Sequence, residues 1–195
     1  MWLIRHAESV SNAGEATDDP ATIPLTARGV EQAGQLAASI PCRPALIVTS
    51  GYIRTELTAR PTIERFPDVP HEQWPVHEFT YLHGPRGRPM TGIERQPLME
   101  EYWTRADPSY VDGPGAESFA GLLGRAHALL QRLRSCPEGP VAVFTHGMFI
   151  RAVLWTLLTE PAELAIAPTA EEMLLFRAFD AAFPIRNTAV VALRL

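Results

Sequence analysis

Four places in the chain combine residue types that could do chemistry: Arg5-His6, Arg54, Glu78 and Thr145-His146-Gly147. Two arginines, each a planar fork of donors, match a phosphoryl group far better than an apolar ligand. A histidine attacks only when neutral, and positive charge nearby lowers its pKa. Arginines that grip an anion would therefore also keep His6 unprotonated near neutral pH. The same groups stabilise charge spreading over transferring oxygens, usually the largest catalytic term. Glu78 suits a proton donor to a departing alkoxide, and afterwards the base that activates water. To donate it must hold a proton, which calls for burial or a carboxylate neighbour. Gly147 opens a run of helical character, so its first N–H groups add an anion site. None of these steps needs a metal or a cofactor.

These residues become a site only if the fold gathers them. Short apolar runs alternate with helical periodicities, the pattern of an α/β fold with a mainly parallel sheet. Runs at Met1 to Ile4, Ala45 to Val48, Trp74 to Val76, Val141 to Phe144 and Ala189 to Leu193 predict strands. In an open parallel sheet ligands bind outside the carboxyl ends of the strands. The first four predicted strands end near His6, Ser50 with Arg54 a turn later, Glu78, and His146. Helices are predicted from Val30, Ala33, Leu36, Ala37 and Ile40, with Thr26 as cap, and from Phe119, Leu122, Leu123, Ala126, Leu130 and Leu133. Further helices cover Gly147 to Leu158, stopped by Pro161, and Ala170 to Phe183. The helix after Ser50 should kink or end at Pro61. The stretch of about 80–115 lacks a sustained period and reads as a lid-like insertion in a single domain spanning 1–195, its Tyr102, Trp103 and Tyr110 favouring order.

At this point the residues resemble a known family. Leu3-Ile4-Arg5-His6-Ala7-Glu8-Ser9-Val10-Ser11-Asn12 looks like the signature of the histidine phosphatase superfamily, the phosphoglycerate mutase-like proteins. The resemblance continues through Pro24 to Ala33, through Ser50 to Ala59 with Arg54, Thr58 and Ala59, through Gly115 to Phe119, and at Thr145-His146-Gly147. Ala7 stands where the family more often has glycine. The element after Glu78 reads Phe79-Thr80-Tyr81-Leu82, departing from the Gly and Trp-Glu-Gly that many members carry. The resemblance implies a three-layer sandwich, helices flanking a mainly parallel sheet. It implies His6 as phosphohistidine nucleophile, with Arg5, Arg54 and His146 holding the phosphoryl group. Asn12 would also reach the phosphate, and Glu78 would be the acid, with Glu8, Glu100 and Glu101 as alternatives.

Bland readings exist for each residue. His6 could end a buried strand as a core histidine, His146 could cap the next helix, and Arg54 or Glu78 could be a solvated or ion-paired surface group. Convergence of all of them argues otherwise. His71, His77 and His83 lack zinc-ligand spacing and have no cysteine close by. Arg86, Arg88 and Arg95 could read a second anionic group on the substrate, or form a solvated basic loop.

Composition narrows the rest. All 17 basic residues are arginine, which excludes a P-loop lysine and a Schiff-base lysine. The net charge of −5 argues against nucleic acid as partner. No run of about 18 apolar residues suggests a membrane span. Cys42 and Cys136 read as free thiols of a reducing compartment, so a cytoplasmic protein is expected. The expected partner is a small phosphorylated substrate; oligomeric state is not legible. The expectation is a metal-independent phosphomonoester hydrolase. The alternatives are a mutase that returns the phosphoryl group to its substrate, and a phospholigand-binding module without turnover.

Overall fold

A computed structural model describes residues 1–83, 88–136, 138–159 and 167–194. In chain order the described elements are β1 (Trp2–Arg5), α1 (Ala27–Ser39), β2 (Leu46–Thr49), α2 (Ile53–Arg65), β3 (His71–Gln73), α3 (Gly92–Arg105), α4 (Phe119–Arg134), β4 (Val141–Thr145), α5 (Gly147–Thr159), α6 (Ala170–Ala182) and β5 (Val190–Ala192). The strands form one sheet in the order β3-β2-β4-β1-β5. All neighbours are parallel except β1 and β5, which pair antiparallel at one edge.

The apolar runs of β1, β2 and β4 are covered on both faces, as expected of central parallel strands. Side chains alternate across the sheet. Leu3, Val48, Val141 and Val143 join Leu122, Ala126, Ile150 and Val153 of α4 and α5 on one face. Ile4, Ile47, Ala142 and Phe144 face the other way, onto Leu36 of α1 and Ala59 of α2. Each of these large side chains contributes about 1.5–3 kcal/mol by leaving water. The three layers are therefore α1 and α2, the sheet, and α4 with α5. Capping matches sequence: Thr26 and Ser118 accept from the N–H three residues on, starting α1 and α4. Gly29 is required in α1, because a Cβ there would come within 2.0 Å of the Glu8 carbonyl oxygen. That close approach clamps α1 against the segment that follows β1.

Several elements differ from the sequence expectation. The third strand is His71–Gln73, not Trp74 to Val76, and all three of its residues are exposed. As an edge strand it is held by main-chain pairing to β2, so it carries no apolar signal. Trp74 and Val76 lie just beyond it and turn into the core. Glu78 consequently sits on a connecting segment rather than at a strand end. Helix α2 runs through Pro61 to Arg65. Its Arg65 guanidinium bonds the carbonyls of Ala37, Ala38 and Ile40, tying the helix end to the end of α1. Val30 is 60% exposed, so α1 packs through Ala33, Leu36 and Ala37 instead. The stretch predicted to lack structure contains α3, opened by a Thr91–Glu94 capping box and running through Pro97. Its Tyr102 and Trp103 are buried in the main core. The helix stop predicted at Pro161 lies outside the described residues. Among the described residues no helix is long and apolar enough to cross a membrane, and both cysteines are free.

Candidate active site

The register of the central strands brings the candidate residues together. Arg5 of β1 is paired with Thr145 of β4, and Thr49 of β2 with Phe144. His6, Ser50 and His146 therefore leave three adjacent strands at one sheet edge. The His6 N–H is held by the Thr145 carbonyl at 2.9 Å, and the Ala7 N–H by Thr58 Oγ1 at 3.0 Å. Arg54, in the first turn of α2, reaches back over the edge.

The hydrogen bonds decide which nitrogen does what. His6 Nδ1 lies 2.7 Å from the Ala7 carbonyl oxygen. A carbonyl only accepts, so the ring proton sits on Nδ1 and Nε2 presents its lone pair. Arg54 Nε donates to that Nε2 at 3.2 Å. A second Arg54 nitrogen donates to His146 Nδ1 at 3.0 Å, and a third to the Pro20 carbonyl. His146 must then carry its proton on Nε2, 2.8 Å from Ser50 Oγ. The chain continues from Ser50 Oγ to Thr55 Oγ1 at 2.9 Å and ends on the Tyr52 carbonyl at 2.8 Å. Tyr52 closes the site from the side, its ring 4.9 Å from the Arg54 guanidinium and 5.3 Å from the His146 ring.

Burial and charge act in one direction on both imidazoles. His6 is 3% exposed and His146 fully buried. Burial holds the pKa of each well below the ordinary 6.5, and the Arg54 charge lowers both further. Arg54 itself, 5% exposed, is brought down by burial to about 10, so it stays charged at neutral pH. Unfolded chains bind the imidazole protons near pH 6.5 and the native state does not, so stability rises with pH through that window. Stability should fall by about 1.4 kcal/mol per pH unit for each histidine as pH drops below 6.5. Urea unfolding between pH 7 and 5.5 checks this: His146→Gln should shallow the slope by about one histidine's share. An unchanged slope would contradict the assignment of a buried neutral imidazole.

The carboxylates are distributed so that two cations remain available. Among the described ion pairs, Arg151 is taken by Asp180 at 3.0 Å and Arg125 by Glu117 at 2.6 Å. Arg5 and Arg54 have Glu78 as the carboxylate whose field offsets them. Arg5 bonds the Ile185 carbonyl, while its Nε is buried with no hydrogen-bond partner among the described residues. A Cβ on Gly147 would come within 3.4 Å of that Nε, so glycine leaves the space beside it open. Glu78 Oε1 accepts from the N–H groups of Met148 at 3.1 Å and Phe149 at 3.2 Å, and from its own neighbour Phe79 at 3.1 Å. Its carboxylate thus occupies the N-terminus of α5. No carboxylate neighbour of the kind the sequence reading asked for is among those contacts.

Asn12 is exposed, and its Oδ1 accepts from the Ser9 N–H at 3.2 Å and from Asn187 at 3.0 Å. Those bonds leave its amide N–H groups as the uncommitted end. Asn187 also donates to the His6 carbonyl at 3.0 Å. Sequence reasoning missed Asn187, along with the bond from Ser50 to His146 and the side-on packing of Tyr52. Ser50 was legible as a strand end; Asn187 had no local pattern to mark it. The three histidines weighed as zinc ligands are dispersed: His71 bonds Thr49, His77 stacks on Tyr52 and His83 bonds the Pro114 carbonyl. Of the insertion's arginines, Arg88 pairs with Glu94 at 2.7 Å and Arg95 bonds Thr17, while Arg86 lies outside the described residues.

A mainly parallel α/β sheet with two buried histidines and two arginines at its carboxyl edge makes a candidate anion-binding site. The chain belongs to the histidine phosphatase superfamily, branch 1, whose family model matches residues 1–171. Among curated proteins it is similar to a “Probable phosphoglycerate mutase GpmB” of Yersinia pestis, 29% identical over 175 residues, covering 83% of this chain and 76% of that protein. Among solved structures it resembles a mycobacterial glucosyl-3-phosphoglycerate phosphatase complexed with VO3. The TM-score is 0.70 at 23% identity, over 97% of this chain and 90% of that one. An alpha-ribazole phosphatase of Shigella flexneri gives a TM-score of 0.67 at 24% identity, over 97% and 87% of the two chains.

Proposed function

We propose that the protein hydrolyses phosphomonoesters through a phosphohistidine formed on His6 Nε2. The observation that carries this reading is the pair of bonds at His6: Nδ1–H fixed on the Ala7 carbonyl and Nε2 left as a lone pair beside Arg54. A nucleophile needs that tautomer, and the depressed pKa keeps it unprotonated. The phosphoryl group would sit among Arg5 Nε, Arg54, His146 and Gly147, beside the Met148 and Phe149 N–H groups that Glu78 holds, with Asn12 donating from outside. Its arrival would transfer the Arg54 Nε–H from the imidazole to a phosphoryl oxygen, freeing the nucleophile as it binds the charge.

In the first step Nε2 attacks phosphorus and the ester oxygen departs, taking a proton from Glu78. To donate, Glu78 must carry that proton when the ester oxygen leaves. In the second step the Glu78 carboxylate takes a proton from water, which attacks phosphorus and returns His6 to its neutral state. Residues 80–115 would act as a lid that roofs the leaving group. The cytoplasm is the compartment this reading assumes.

Turnover of Glu78→Gln tests the acid role. The variant should lose about 10²–10⁴-fold with alkyl phosphates, and much less with an aryl phosphate whose phenolate needs no proton. Equal losses for both esters would move the role to another carboxylate. The mutase-like relative keeps one other reading alive, return of the phosphoryl group to the substrate. Phosphate release measured against phosphoglycerate isomerisation separates the two.

A further inference from the structure

A cavity of about 190 Å³ lies between the loop around Thr17 to Ile23 and the residues from Phe79 to Met99. It adjoins the site at two points. Pro20, one of its walls, gives its carbonyl to Arg54. Thr80, another wall, bonds the Tyr52 side chain, which packs on Arg54 and His146. A leaving group attached to a phosphoryl on His6 would therefore extend toward it.

Its chemistry is apolar. Ile23, Phe79, Leu82, Met90, Leu98 and Met99 are six of its fourteen lining residues, and apolar atoms make up most of the exposed lining. Of the two described arginines on it, Arg88 is paired with Glu94, and Arg95 is turned onto both oxygens of Thr17. An exposed carboxylate, Asp18, stands on the same wall and would repel a second anion. A dry cavity of about 150 Å³ lined by aliphatic and aromatic side chains is enough to hold benzene. The room here suits one ring or an alkyl chain of similar size.

We infer that the preferred substrates are monoesters of an apolar alcohol, aryl or medium-chain alkyl, rather than short polyanions such as phosphoglycerates. The inference rests on the phosphomonoester reading above. Straight-chain alcohols differ little in acidity, so chain length isolates the pocket from the chemistry. Across ethyl, butyl and hexyl phosphate, kcat/KM should rise about two- to fourfold per methylene. Hexyl phosphate should exceed 3-phosphoglycerate by at least tenfold. Calorimetric binding of ethyl-, butyl- and hexylphosphonate, which cannot turn over, should follow the same order. Leu98→Asp should cut the hexyl-to-ethyl ratio about tenfold or more, and Leu98→Ala less, with native circular dichroism as the folding control.

A flat series in either arm, or 3-phosphoglycerate as the better substrate, overturns the pocket assignment. No phosphate release from any ester would instead strike the hydrolytic reading, while the phosphonate series would still decide the pocket.

Discussion

His6→Ala is expected to abolish turnover, with kcat falling by at least about 10⁴-fold because the nucleophile acts as a unit with its neighbours. Radiolabel from a phosphorylated substrate should no longer be trapped on the protein by rapid acid quench, whereas the native chain should accumulate an acid-labile label. Binding of inorganic phosphate should survive, since Arg5 and Arg54 are untouched. That combination distinguishes a missing nucleophile from a collapsed pocket. Persistent labelling in the variant would place the covalent step elsewhere.

Arg54→Ala should be nearly as severe, lowering kcat/KM by about 10³-fold, the scale of losing a donor aimed at developing charge. Lysine should recover little. One ammonium cannot serve His6 Nε2, His146 Nδ1 and the Pro20 carbonyl, which the guanidinium reaches together. A pH profile gives an independent readout. Arg54 lowers the pKa of both histidines, so its removal must raise them. The acid limb of kcat/KM should move upward, toward the ordinary imidazole value. An acid limb that stays put would mean that the arginine binds substrate without tuning the nucleophile.

Much of this site was legible from sequence because its main residues sit at the ends of strands that announce themselves. β2 and β4 are buried throughout and β1 at Leu3 and Ile4, and each is followed directly by a polar residue of the candidate site. Where burial does not mark an element, the reading slipped. Exposed His71–Gln73 is a strand only through its pairing with β2. The buried Trp74 and Val76 beside it drew the assignment three residues too far. Helix α3 advertised its start in Thr91 and Glu94, but Pro97 and a mixed face concealed the period. Asn187 could not be found at all, because its partners His6 and Asn12 lie 181 and 175 residues away. Glu78 was identified as a residue but not in its posture, since the bonds from α5 depend on how two connections meet.

The mooring of Arg54 on the Pro20 main chain has a consequence for how such an enzyme could change its taste. The strap that walls the room proposed for the alcohol also sets the tilt of the guanidinium proposed to face phosphorus. Any remodelling of that strap to admit a bulkier or more polar alcohol would turn the guanidinium plane with it. Selectivity and speed are thereby geared to one another, so a loop graft should register in kcat as well as KM.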